Sequence, residues 1–276
     1  SAFGLMQSGL FSEMVLIDAN TEKAEGEAMD ISHGIPFARP MKIYAGGYDD
    51  IMDAAIIVVT AGANQKPGET RLDLVQKNVG IFKSIIPEIA KRDYQGILLI
   101  VSNPVDILTY TAHKLSGMPE NRVIGSGTVL DTARLKYELG EHLGVDSRSV
   151  HAFIIGEHGD SEIAAWSSAN VSGIPLNTFC EMRGHFNHDE ATERIAENVK
   201  NSAYEIIAKK KATYFGVAMA VRRICEAIIR DEKSILPVSN LMHGEFGISD
   251  ISLSMPAIVG AHGVENRIPI ALLPAL

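Results

Sequence analysis

In the first half of the chain, apolar residues come in short unbroken runs separated by stretches at helical spacing. Residues 14–17 (MVLI) predict a strand that leads into Asp18, and 21–31 carry Ala, Glu and Met at helical spacing. The β-branched run 54–60 (AAIIVVT) stops at Ala61-Gly62, and a long helix is predicted over 73–91, with Pro87 as a candidate kink. Residues 97–101 (ILLIV) predict another buried strand, stopped by Ser102-Asn103-Pro104, and 105–115 return as helix. Wholly apolar strands alternating with helices predict a parallel sheet covered on both faces. Right-handed crossovers make this a doubly wound α/β domain, in which ligands bind at the carboxyl ends of the strands. Asp18, residues 60–62 and Ser102-Asn103 all lie at such ends.

After about Gly125 the pattern changes. Residues 128–143 read as helix and 150–155 as strand, and a loop begins at Gly156. A long helix is predicted over 193–211, and 238–255 hold short strand-like pieces broken by Gly and Asp. The mixture predicts a second, α+β domain, giving a nucleotide-binding part over 1–125 and a catalytic, substrate-binding part over 126–276.

Charge and cysteine content narrow the functional classes. The net charge of -9 argues against a nucleic-acid or anionic-membrane surface, since both want a basic footprint. The two cysteines, Cys180 and Cys225, are far apart and in no paired motif. That pattern points to a reduced, cytoplasmic protein with no disulfide framework and no zinc site. No apolar run reaches the length of a membrane span, and no signal peptide is visible at the N-terminus.

A doubly wound nucleotide-binding domain opens with strand, G-x-G-x-x-G, helix, and an acidic residue about 20 positions on. Asp18 has the position of that acidic residue, although an Asp that merely ends a strand reads the same way. The glycine loop itself is absent; Gly125-Ser126-Gly127 is a decoy, because Leu130 fills the third glycine's place. The segment 62–71 (GANQKPGETR) reads as a lid carrying an arginine or as an ordinary surface loop. Asn103 reads as a donor to a ligand carbonyl or as a helix N-cap before Pro. Asp131 and Arg134, three apart on a predicted helix, share a face. They read as a surface ion pair, or as a buried Asp orienting a histidine beside an Arg that grips a carboxylate. His158, between glycines just after a strand, is the natural acid/base group near neutral pH, or a loop histidine without a role. His158 and Asp160 alone do not make a metal site.

Taken together, VLIDAN, GANQKPGETRLDLVQKN, SNPVDILTY, RVIGSGTVLDTAR, HAFIIGEHGDSE and ATYFGVAM resemble, in order, the lactate/malate dehydrogenase family, and in particular its bacterial L-lactate dehydrogenases. The resemblance covers nearly the whole chain. It implies a Rossmann-type parallel sheet plus an α+β catalytic domain, NAD as cofactor, and pyruvate and L-lactate as substrate and product. It makes His158 the proton donor and acceptor, Asp131 its orienting partner, Arg134 the grip on the substrate carboxylate, and Arg71 the stabiliser of charge on the carbonyl oxygen. Asn103 and Thr213 would line the substrate site. Asp18, Lys23, Tyr48, Gly62, Ala63, Ser84, Val101, Ser102, Asn103 and Ser126 would hold the cofactor. Gln65 would face the substrate side chain, where an uncharged group favours pyruvate over a dicarboxylate. In allosteric relatives a histidine and an arginine bind fructose 1,6-bisphosphate between subunits; here His151 and Lys136 take those places. The family also implies a homotetramer.

The chain departs from the family pattern in three places. Ser1 to Met6 match the helix that follows the glycine loop, so the first strand and the loop are expected to be absent, as is a last amphipathic helix. That strand belongs in the middle of the sheet, and two edges are expected to face each other without it. Lys211 stands where relatives often carry glycine. A malate or other 2-hydroxy-acid dehydrogenase and a truncated, non-catalytic chain are the competing readings.

Overall fold

The computed structural model describes residues 1–63, 68 and 70–270, the Arg71 side chain excepted. Helix α1 (Ala2–Ser8) precedes β1 (Glu13–Leu16), α2 (Thr21–Ser32), β2 (Lys42–Ala45) and β3 (Ile56–Val59). Then come α3 (Arg71–Ala90), β4 (Ile97–Ile100), α4 (Val105–Ser116), β5 (Val123–Gly125) and α5 (Val129–Leu143). Four two-residue strands follow: β6 (Val150–His151), β7 (Ile154–Ile155), β8 (Ile163–Ala164) and β9 (Asn170–Val171). The chain continues through β10 (Ile174–Pro175), α6 (Leu176–Met182), α7 (His188–Lys210) and α8 (Phe215–Ile229). It closes with β11 (Ser234–His243), β12 (Ser249–Gly260) and β13 (Gly263–Arg267).

Strands β3, β4 and β5 pair in parallel, as their unbroken apolar sequence predicts. The two-residue period of β4 explains why no polar residue interrupts it. Ile97 and Leu99 face one core with α8, whereas Leu98 and Ile100 face a second core with α3 and α4. All four are at most 3% exposed, and each such side chain contributes roughly 1.5–3 kcal/mol. Helix α3 starts two residues before the sequence prediction. Thr70 accepts the Asp73 backbone N–H while the Asp73 carboxylate accepts that of Thr70, a reciprocal N-terminal cap. Pro87 lies in the last turn, and the Lys91 N–H still reaches its carbonyl.

The second half differs from the sequence reading in four ways. The single strand expected over 150–155 is two, with β6 in one small sheet and β7 in another. The short pieces expected over 238–255 are one long antiparallel hairpin, β11–β12. That hairpin joins the first domain's sheet through Ser239 opposite Gly125, giving the order β13-β12-β11-β5-β4-β3. Helix α8 was not anticipated, nor, in the first half, was strand β2. Strands β1 and β2 form a separate parallel pair, and among the described residues β1 and β3 each carry a partner on one side only. No helix among the described residues is long and apolar enough to cross a membrane.

Lys211 closes α7 at φ 73°, the left-handed region where a Cβ is strained and glycine is favoured. This gives a physical reason for glycine at that position in relatives. Replacing Lys211 with Gly is expected to stabilise the fold by about 1 kcal/mol and raise Tm by about 2–4 °C in a thermal melt.

Candidate active site

The site is built where α5, α4 and the β7–β8 loop meet. Gly127 opens it: at φ 51° it packs so tightly that a Cβ would lie 2.5 Å from both Ser239 N and Ser254 Oγ. The first turn of α5 is then tied to β7. The Thr128 hydroxyl donates to the Ile154 carbonyl at 2.5 Å, and Thr132 Oγ1 accepts the Ile154 N–H at 2.8 Å. One residue beyond β7, Gly156 exchanges both backbone hydrogen bonds with Ser254 of β12 at 2.8 Å each. Helix and loop are therefore fixed to each other by buried bonds before any catalytic side chain is considered.

On this frame His158 Nδ1 meets Asp131 Oδ2 at 2.5 Å, and Arg134 Nη1 donates to Asp131 Oδ1 at 2.7 Å. Asp131 is 2% exposed, so the Asp131–Arg134 pair is a buried one that also holds the histidine, not a surface ion pair. Arg134 spends one of the five N–H donors of a guanidinium on Asp131. Burial pulls the His158 pKa down, but the hydrogen bond and charge of Asp131, with the charge of Asp106, outweigh it, and the pKa lies above the usual histidine value.

Asp106 is a functional residue that sequence reasoning missed, although it stands inside SNPVD. Its carboxylate accepts the backbone N–H of His158 at 2.8 Å. It lies in the first turn of α4, so it pins the histidine loop to the carboxyl end of β4. Burial raises its pKa, against smaller lowering effects of Ser239 and the His158 N–H. Ser239 Oγ lies near the carboxyl without the geometry of a full hydrogen bond. Asn78, the last letter of the GANQKPGETRLDLVQKN motif, was missed too. It is 1% exposed, donates to the Asn103 carbonyl at 2.7 Å and accepts the Ala63 N–H at 2.8 Å, joining two strand-end loops. A third missed residue, Glu162, brings its carboxylate within 4.8 Å of the ligating atoms of Asp131 and His158. That triad is closer to a metal-ligand set than His158 and Asp160. Both Asp131 oxygens are already engaged, however, and Asp160 instead accepts from Tyr204 at 2.7 Å.

The remaining expected residues fall in different surroundings. Asn103 does not cap α4, whose N-cap is Pro104. It is exposed beside buried Ser102, whose hydroxyl donates to the Ala61 carbonyl at 2.6 Å. Thr213 lies between α7 and α8, and Gly216 just beyond it packs on α5, where a Cβ would lie 2.9 Å from Leu130 Cδ1. Asp18 is exposed, and its Oδ1 accepts the Asn20 N–H at 2.9 Å. Lys23 is exposed at the start of α2. Tyr48 packs into the α3–α4 core and Val101 against the α8 core. Ser84 turns its hydroxyl back to the Ile81 carbonyl on an exposed face of α3. Ser126 is buried at the end of β5. Lys136 is half-buried on α5, where burial lowers its pKa, and His151 is exposed on β6. Gln65 and the Arg71 side chain lie outside the described residues.

A histidine held by a buried carboxylate at the carboxyl end of a doubly wound sheet is suited to proton transfer beside a dinucleotide. The class is that of the NAD-dependent oxidoreductases. Within it, the chain belongs to the lactate/malate dehydrogenase family: residues 1–125 match that family's NAD-binding domain and 128–275 its alpha/beta C-terminal domain. It is 58% identical to the L-lactate dehydrogenase of Acetivibrio thermocellus, over 96% of this chain and 84% of that protein. It is 54% identical to L-lactate dehydrogenase 1 of Clostridium acetobutylicum, over 99% of this chain and 87% of the relative. The minor L-lactate dehydrogenase of Enterococcus mundtii, in its ligands-bound form, superposes with a TM-score of 0.95 at 45% identity, covering 99% of this chain and 87% of that one.

NAD is the cofactor, and the residues present fit it in part. Asp18 is an acceptor-only carboxylate, and among the described residues its second oxygen has no partner, as ribose hydroxyls require. Gly62 is exposed, with its Cβ side against Asn78 and Ser102, where a Cβ would sit in ordinary contact at 3.5–3.6 Å. Tyr48 and Ser84 are turned to the protein itself, by packing and by a backbone hydrogen bond.

Two substitutions separate the roles of loop and ring. Replacing His158 with Gln is expected to lower kcat by about 10²–10⁴-fold with a smaller change in KM. Asp106→Leu strands the His158 N–H and is expected to cost about 1–3 kcal/mol in denaturant unfolding; an unfolding midpoint equal to wild type would remove Asp106 from the account.

Proposed function

We propose that the protein interconverts pyruvate and L-lactate as an NAD-dependent L-lactate dehydrogenase. The observation that carries this reading is the buried Asp131 carboxylate that holds His158 Nδ1 while leaving Nε2 to work. NADH, when bound, supplies the hydride. His158 as imidazolium donates the Nε2 proton to the carbonyl oxygen, and as neutral imidazole it takes the hydroxyl proton in the reverse direction. Asp131 keeps a proton on Nδ1 in both states and so fixes the tautomer. The donors left on Arg134 grip the substrate carboxylate. The family resemblance gives Arg71 and Asn103 the carbonyl oxygen, Thr213 the pocket wall, and Gln65 the substrate side chain. Because the His158 pKa is raised, the imidazolium persists to higher pH than in a free histidine; reduction falls as pH rises through that pKa, while oxidation of the hydroxy acid gains over the same interval.

The reading extends to a cytoplasmic homotetramer that responds to fructose 1,6-bisphosphate. Phe37, Phe186 and Phe215 are 94%, 74% and 76% exposed, apolar surface that a subunit contact would cover. Lys136 and His151, on neighbouring α5 and β6, offer the two basic groups an anionic effector needs.

The malate dehydrogenase alternative is tested by NADH consumption with pyruvate and with oxaloacetate, side by side. An uncompensated second carboxylate costs several kcal/mol, so kcat/KM is expected to favour pyruvate by about 10²-fold or more. Equal or reversed efficiency would exclude the lactate reading. In the same assay the bisphosphate is expected to lower the KM for pyruvate, and a curve indifferent to millimolar effector would remove the allosteric part.

A further inference from the structure

Strands β3 and β4 leave the sheet side by side, and hydrogen bonds continue past their ends. The Val101 N–H donates to the Val59 carbonyl at 2.9 Å, and the Ser102 hydroxyl donates to the Ala61 carbonyl at 2.6 Å. Beyond that point Asn78 of α3 joins the two loops. Its Oδ1 accepts the Ala63 N–H at 2.8 Å, and its Nδ2 donates to the Asn103 carbonyl at 2.7 Å and to the Ala63 carbonyl at 3.3 Å. The backbone groups fix which end of the amide is which, since an N–H only donates and a carbonyl only accepts. The same amide lies under Gly62, whose Cβ would meet Nδ2 at 3.5 Å and Oδ1 at 3.6 Å.

Asn78 is 1% exposed, in the interior of α3. Asparagine favours caps and turns over helix interiors and is seldom fully buried, so neither helix formation nor core packing accounts for it. What it supplies is an acceptor and two donors on one planar group, which no apolar residue and no carboxylate matches. Resting on the dehydrogenase reading above, we propose that Asn78 is a positioning residue for the reaction. Its amide sets the spacing between the loop that holds the cofactor, at Gly62 and Ala63, and the loop that presents Asn103 to the substrate carbonyl.

Three groups that the family resemblance assigns to the reaction then share one anchor. Ala63 and Asn103 are held directly. Arg71 begins the same helix, about two turns and roughly 10 Å before Asn78, so the amide also fixes where α3 stands against the two loops. The two ends of the amide have separate duties. Oδ1 holds the cofactor side through the Ala63 N–H, and Nδ2 holds the substrate side through the Asn103 carbonyl. Hydride transfer needs its reacting atoms brought to about 3–3.5 Å, and a displacement of about 1 Å costs roughly 10²-fold in rate. Buried as it is, Asn78 acts through the loops rather than on either ligand.

The test compares wild type with Asn78→Asp and Asn78→Ala, by fluorescence titration of NADH and by single turnovers of the NADH-loaded protein with excess pyruvate. The amplitude of a turnover counts folded, loaded protein, whereas its rate constant reads how the reactants are placed. The Asp variant keeps the acceptor and loses the donors. Its Kd for NADH is expected to stay within about threefold of wild type, and its rate constant to fall about 10²-fold. The Ala variant loses both, so its Kd is expected to rise about tenfold as well. A wild-type rate constant in either folded variant, with the amplitude or unfolding midpoint alone lowered, makes the amide a stability group and overturns this inference alone. Two variants that do not fold overturn it in the same way. An equal rise in Kd in both variants overturns the division between Oδ1 and Nδ2. A wild-type protein that binds NADH but turns over no 2-oxo acid overturns the dehydrogenase reading, and this one with it.

Discussion

The arrangement depends on one interaction, the hydrogen bond between a carboxylate that is 2% exposed and the imidazole of His158. A buried carboxylate is costly unless it is paired, and Asp131 is paired twice, with His158 and with Arg134. That double pairing sets the tautomer, raises the histidine's affinity for a proton, and holds the guanidinium on the same carboxylate. The neighbouring architecture serves it: Thr128 and Thr132 clamp α5 to β7, Ser254 pins Gly156, and Asp106 holds the His158 backbone from α4. Helix α5, the loop and α4 come from distant parts of the sequence, so tertiary packing sets the geometry of the Asp131–His158 pair.

What was legible in the sequence follows from what local pattern can encode. The parallel strands were readable because each is apolar on both faces, as Leu98 and Leu99 show by entering different cores. Local spacing and flanking glycines made Asp131, Arg134 and His158 candidates beside the plainer readings of a surface ion pair and a loop histidine, and the family resemblance, not the spacing, gave them roles. Asp106 was not readable, since it acts on a residue 52 positions away through a fold that sequence alone does not display. The hairpin β11–β12 was broken into pieces because polar Ser239, Asn240, Ser252 and Ser254 interrupt its apolar pattern. These residues are buried, and Ser254 works as an anchor for the site.

The division into two parts was also simpler in the sequence than in the molecule. The nucleotide-binding sheet does not end at β5, because Gly125 admits Ser239 of β11 and the sheet continues into the C-terminal hairpin. A Cβ at Gly125 would lie 2.8 Å from Ser239 Cβ, so a small residue is needed for the two halves to share a sheet. This continuity puts Ser239 beside Asp106, whose carboxylate holds the His158 loop. The β1–β2 pair, by contrast, reaches the main body through α1 packing on α8 and through Phe11 and Met14.

The most direct test of the central claim is a titration of the His158 imidazole by NMR in wild type and in Asp131→Asn. The account predicts a wild-type pKa above 6.5, with Nδ1 carrying the proton in the neutral state, and a fall in the variant as the opposing burial takes over. Equal titration curves, or a neutral ring protonated on Nε2 in wild type, would contradict it.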